Sequence, residues 1–204
     1  MKKRMKAQQI LTTMLLAAMC AMACNNAGRR DADDSVEQAQ DVNDTTAMVN
    51  EKDGDFAVKA ADAGLTEVEL GKLAQEKASD QRVKDFAQMM INDHQKANDE
   101  LMAIATRHHI TLPPVISKDQ ADKQRKLREK SGADFDKEYI DLMVKDHDKV
   151  MSLFEDAASD LQNTELKGFA SKTLPVLRKH HEQASAIRDS ISPTDTTTIQ
   201  RVLP

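Results

Sequence analysis

Tryptophan is absent from this chain of 204 residues, tyrosine occurs once and glycine six times, so the aromatic and turn-rich alternation that marks strands has little material here. Cysteine occurs only twice, at Cys20 and Cys24, both near the start, which leaves nothing downstream to build a disulfide or supply a thiol nucleophile. No nucleophile elbow, phosphate-binding glycine loop or paired-cysteine metal knuckle occurs either. The balance of 29 basic and 34 acidic residues excludes a second class of function. An acidic surface repels phosphate backbones rather than releasing their counterions, so nucleic acid is not an expected partner.

What is present begins with Lys2, Lys3, Arg4 and Lys6, followed by an apolar run from Ile10 to Ala23 and then Cys24. This is the pattern of a secretory signal peptide, and its apolar core is shorter than the roughly 20 residues of a comfortable membrane span. Ala21 and Ala23 stand at the two small-residue positions before Cys24, so cleavage is expected after residue 23, with Cys24 lipidated. Met22 is a poor fit to the middle of such a site, and Cys20 is a weaker second candidate. Two or more acyl chains make anchoring stable where one would be marginal. Loss of the four basic residues takes the formal charge from −5 to −9. The expected location is the cell envelope, anchored by lipid to a membrane and facing the periplasm. By resemblance to sorting rules in other bacteria, Asn25 after Cys24 favours the outer membrane.

Residues 24–54 are rich in Asn, Asp, Gln, Ser and Thr, with too little apolar surface to offset ordering entropy, and are expected to be a disordered tether. Residues 192–204, with Pro193 and the threonine run 196–198, are expected to be a disordered tail. Between them, over 55–191, apolar residues recur at intervals of three and four, predicting helices over 55–79, 81–109, 134–161 and 164–190. Asp80 and Asn163 or Thr164 are positioned to cap the second and fourth. Pro113 and Pro114 end the second helix, and residues 117–130 read as a short charged helix inside a long crossover. Two hairpins joined by one crossover predict an all-α, ferritin-like antiparallel four-helix bundle.

An internal repeat supports the pairing. Displaced by 53 residues, Met90, Ile91, Asp93, His94 and Lys96 fall on Met143, Val144, Asp146, His147 and Lys149.

His94 lies in the stripe Val83, Ala87, Met90, His94, Ala97, Leu101, Ile104. His147 lies in Ile140, Met143, His147, Val150, Phe154, and His180 in Phe169, Thr173, Leu177, His180, Ala184, Ile187. The first helix offers Ala60, Gly64, Glu67, Gly71, Ala74, Ala78, with one carboxylate on a face of small residues. A buried glutamate calls for a partner, and neutral imidazole is the commonest ligand for zinc, copper and iron. Glu67, His94, His147 and His180 are therefore the expected metal ligands, with iron, zinc or copper as the metal. Asp93 and Asp146 precede two of the histidines, and because adjacent helical positions diverge by about 100 degrees they suit outer-shell acceptors or surface charges better than direct ligands. The competing reading is that each histidine is a hydrogen-bonded core residue, in which case the chain is an envelope structural or interaction protein without a metal. His181, His108 and His109 fall on flanks or ends. The methionines beside the stripes suit core packing better than copper.

The segment Glu67-Val68-Glu69-Leu70-Gly71-Lys72-Leu73-Ala74, then Phe86-Ala87 with Met90 and Asp93-His94, Leu112-Pro113, Gly132, Phe135-Asp136, Tyr139, His147, Phe154-Glu155 and Leu174-Pro175-Val176-Leu177 with His180 together carry a resemblance. Over about residues 55–187 they resemble a family of uncharacterised bacterial exported proteins, often labelled putative outer membrane proteins, with a ferritin-like domain of unknown function. The resemblance implies a four-helix bundle, export and, by analogy, metal binding, but no reaction. The di-iron signature, a glutamate from each of two helices and Glu-x-x-His from the other two, is missing. Ile91, Val144 and Leu177 stand three residues before the histidines, so a ferroxidase centre is not implied. His181 departs from the family, where an apolar residue is usual, and leaves open which of the adjacent histidines faces inward.

Overall fold

The computed structural model describes residues 35–191, which contain six helices and no strand. They are α1 (Ser35–Thr45), α2 (Glu51–Lys77), α3 (Gln81–Arg107), α4 (Lys118–Arg128), α5 (Gly132–Asp160) and α6 (Thr164–Ile191). The expected signal peptide, the expected lipidation site Cys24 and the expected tail 192–204 lie outside the described residues. No helix among the described residues is long and apolar enough to cross a membrane.

Helix starts are set by side-chain caps that occupy otherwise unpaired backbone N–H groups. Asp80 Oδ1 accepts from Arg82 N at 2.8 Å to begin α3, and Asn163 Oδ1 accepts from Glu165 N and Leu166 N, both at 3.0 Å, to begin α6. Asn50 Oδ1 accepts from Lys52 N at 3.1 Å, so α2 begins at Glu51 rather than at the expected residue 55.

The four long helices pack together: α2 lies against α3 and α5, and α6 against α5 and α3, while α4 covers parts of α2 and α5. Glycine governs the α2 and α3 contact. A β-carbon at Gly64 would press on the Asn98 side-chain amide, and one at Gly71 would come within 2.7 Å of Ile91 Cγ1 and 3.2 Å of the Ala87 carbonyl oxygen, which is backbone.

The expected disordered tether does not extend through residues 35–54, because α1 and the first turn of α2 occupy that stretch. Its polar composition hides how it is held. Ala39 is the one apolar residue of α1 that is buried, and hydrogen bonds add to the attachment. Asn43 accepts from Thr111 N at 2.7 Å and donates to the Thr111 carbonyl at 3.0 Å, Ser35 Oγ donates to the Val115 carbonyl at 3.1 Å, and Gln40 Nε2 donates to Asp55 at 2.7 Å. Apolar periodicity carries no trace of such contacts.

The core divides into two apolar clusters. One gathers Phe56, Leu101, Ile104, Phe154, Phe169 and Leu177; the other gathers Leu73, Phe86, Met90, Phe135, Tyr139 and Ile140. Burying each such side chain contributes about 1.5–3 kcal/mol before entropy is counted. On every long helix a buried polar residue falls between its contributions to the two clusters: Glu67, beside Thr66, on α2, His94 on α3, His147, beside Asp146, on α5, and His180 on α6. The fold thus carries a polar layer across an otherwise apolar interior.

Candidate metal centre

All three layer histidines are buried, with relative exposures of 7% for His94 and 1% each for His147 and His180. Each follows its helix's apolar stripe inward, so local periodicity points it and neighbouring helices enclose it. Each ring offers a nitrogen, and the three nitrogens lie within 4.8 Å of one another. The ring centroids are 5.3–5.9 Å apart.

The hydrogen bonds fix which nitrogens carry protons. His147 Nδ1 lies 2.9 Å from the Met143 carbonyl oxygen, which can only accept, so Nδ1 donates and Nε2 presents its lone pair. His180 Nε2 lies 2.9 Å from Asp93 Oδ2, so that nitrogen donates and Nδ1 presents its lone pair. These two lone-pair nitrogens, His147 Nε2 and His180 Nδ1, face each other at 3.4 Å. With both rings neutral the contact is repulsive, and an electrophile between them relieves it. Two nitrogens bonded tetrahedrally to one ion at about 2.0–2.1 Å stand about 3.4 Å apart. His94 supplies the third nitrogen, and its Nε2 has no hydrogen-bond partner among the described residues.

Electrostatics favour the neutral, ligand-ready rings. Burial holds His94 well below the ordinary imidazole value, and the neighbouring His180 and His147 add to this. Burial also draws His147 down to about 4, with His180 acting in the same direction and the Met143 carbonyl opposing. His180 is lowered by burial, partly offset by Asp93. Metal binding at neutral pH therefore need not strip protons from the imidazolium form.

Glu67 is 4% exposed but stands apart from the convergence. Its Oε1 is 4.0 Å from His147 Nδ1, the nitrogen that faces away from His180, and its Oε2 has no partner among the described residues. Burial pushes its carboxyl up to about 8, Asp146 adds to the rise and Lys123 opposes it. So the structure brings three of the four expected ligands together and sets the fourth beside the ring of His147.

The two aspartates of the internal repeat part company. Asp93 serves His180 on another helix rather than its neighbour His94, joining a carboxylate to an imidazole in the arrangement that orients metal-bound histidines. Among the described residues Asp146 meets lysines rather than a histidine: Oδ1 lies 3.6 Å from Lys123 Nζ and 3.7 Å from Lys149 Nζ, and Oδ2 has no partner. The difference follows from the helix beside each. α6 flanks Asp93, whereas α4 with Lys123 flanks Asp146.

Of the adjacent pair, His180 faces the core and His181 lies on the flank, its Nε2 3.0 Å from Asp148 Oδ1. His108 Nε2 pairs with Glu165 at 2.9 Å, and His109 is an exposed residue at a helix end with φ 57°. Sequence reasoning missed Tyr139, whose hydroxyl is buried without a partner among the described residues and whose ionisation burial disfavours, with Glu67 adding to the effect. A lone tyrosine on a buried stripe was the available signal.

Fold and site together define a class: an all-helical domain with three buried imidazoles contributed by three helices. The chain belongs to the family described as Domain of unknown function (DUF4142), whose model matches residues 38–187, a span that includes Glu67 and all three histidines. Comparisons with curated proteins and with solved structures give no match.

Proposed function

We propose that this chain is a lipid-anchored, periplasm-facing bundle of the ferritin-like, antiparallel four-helix type that binds one transition-metal ion through His94, His147 and His180, for storage, buffering or stress protection. Glu67 lies beside the His147 ring, on its Nδ1 side. The observation that carries the reading is the pair of imidazole lone pairs aimed at each other across 3.4 Å, with the third ring beside them. A histidine kept only for packing would be expected to find a donor or acceptor for each ring nitrogen. Three imidazoles suit zinc, copper or iron, and at equal geometry affinity should rise from iron(II) to copper(II), with zinc below copper.

Equilibrium titration of the chain with zinc and with copper, against His94→Ala combined with His147→Ala, tests the reading. Loss of two of three ligands should weaken binding by at least about a thousandfold, since each coordinating group contributes several kcal/mol. Equal affinities in the two proteins would reduce the histidines to core residues. Membrane fractionation of Cys24→Ser tests the anchor separately: release into the soluble envelope fraction is the expected outcome.

A further inference from the structure

The histidines are not sealed in. A groove of about 140 Å³ opens between α3 and α6, lined by Asp93, His94, Lys96, Ala97, Thr173 and His180 among others. Behind it lies a cavity of about 20 Å³, bordered by Glu67, His94, Ala97, His147 and Thr173 together with apolar side chains. His94, Ala97, Thr173 and Leu177 belong to both and so form the wall between them. Within that wall His94 is 7% exposed, with Nε2 lacking a partner among the described residues.

Charge and size limit what fits. Three neutral imidazoles leave a divalent ion with its full charge in a poorly polarisable interior, and Asp93, acting through His180, offsets one unit of it. A fourth ligand carrying one negative charge would balance the remainder. A cavity of about 20 Å³ admits only a water-sized inner atom, so the rest of the ligand must lie in the groove, and a branched carboxylate or phosphate head is too wide to enter. The exposed Lys96 stands at the mouth, and Lys172 there is engaged with Glu100 at 2.7 Å.

We propose that the groove between α3 and α6 delivers a small linear monoanion of two or three heavy atoms, in the class of azide, cyanide or hydroperoxide, to an open position on the ion held by the three histidines. Its inner end coordinates the ion, and its outer end lies along Ala97 and Thr173. This rests on the metal reading above, because a three-histidine site leaves a tetrahedral ion one position short.

The test uses the chain loaded with cobalt(II), whose visible spectrum reports its ligands, titrated with azide. Azide should change the spectrum saturably. Ala97→Leu, which thickens the wall, should weaken azide at least about tenfold while cobalt affinity stays within about twofold, as expected when methylenes are forced into a fitted space. Lys96→Glu, an exposed change that leaves the core untouched, should weaken azide about threefold at low salt and lose that effect at 1 M salt. A cobalt-loaded protein whose spectrum azide leaves unmoved overturns the inference, as does equal azide affinity in all three proteins. Failure to bind cobalt at all would instead remove the metal reading and this inference with it.

Discussion

Buried carboxylates occur at the ends of the long helices and in the middle, and the two settings treat them in opposite ways. At one end Asp53 accepts from Gln162 N and Asn163 N, each at 3.0 Å, tying α2 to the turn before α6. At the other, Asp136 accepts from Ser79 N at 3.0 Å, from Asp80 N at 2.9 Å and from the Ser79 hydroxyl, tying α5 to the turn between α2 and α3. In the middle layer Glu67 Oε2 and His94 Nε2 have no partner among the described residues. The end carboxylates are saturated by backbone donors, whereas the central Glu67 and His94 each keep an unpartnered atom. Buried polar groups left unpaired cost about 1–3 kcal/mol each, a penalty that a ligand can remove.

Substitutions at the two settings should therefore behave oppositely. The largest effect belongs to the ends. Asp136→Ala strands three donors and should lower unfolding stability by about 3–5 kcal/mol in urea melts, whether or not metal is present. A loss under about 1 kcal/mol would put the ends and the middle on the same footing. Next comes the group that belongs to both kinds. Asp93→Asn should cost about 10–100-fold in zinc affinity by weakening the orientation of His180, while apo stability changes little.

The pH profile of the chelator-treated protein sharpens the contrast further. The histidines have folded pKa values below 6.5, with His147 at about 4, so in this range the unfolded chain binds more protons and stability rises as pH climbs from about 4 to 6.5. Glu67 works in the other direction: its folded value of about 8 lies above the ordinary 4.5, so its contribution is complete below 4.5 and is lost as pH rises through 8. Apo stability should peak near pH 6.5, and a profile flat from 4 to 8 would contradict both environments. The smallest effect is expected from Glu67→Leu. It removes an unpaired oxygen from the interior, so apo stability at pH 7 should stay level or rise by about 1 kcal/mol, with a reduced decline above pH 6.5.

Much of this is legible in the sequence. The stripes containing His94, His147 and His180 point inward because intervals of three and four close one face of a helix, and that rule is local. The long helices lie where the apolar spacing puts them, within a few residues. What could not be read depends on which helix stands beside which. The alignment of Asp93 with Asp146 is an identity of residue type, yet one meets an imidazole and the other a lysine. The segment containing α1 was misread for a related reason: amide and hydroxyl bonds made by Asn43, Ser35 and Gln40 to distant backbone and side-chain groups leave no periodic mark. Glu67 was placed in the right layer, but side-chain reach and the position of His147 set it at 4.0 Å from the wrong nitrogen for shared coordination.

Asp93 and His94 are consecutive residues of α3, yet one steers a ring that belongs to α6 while the other supplies a ring of its own. Any slide or roll of α3 therefore displaces two of the three imidazoles through one rigid lever, whereas a slip of α5 moves only His147. Errors in the seating of α3 cannot be corrected piecemeal, and this makes its close seating against Gly64 and Gly71 of α2 a matter of chemical accuracy as well as compactness. An added methyl at either glycine should register at the imidazoles, several residues away, before it registers in the helix content.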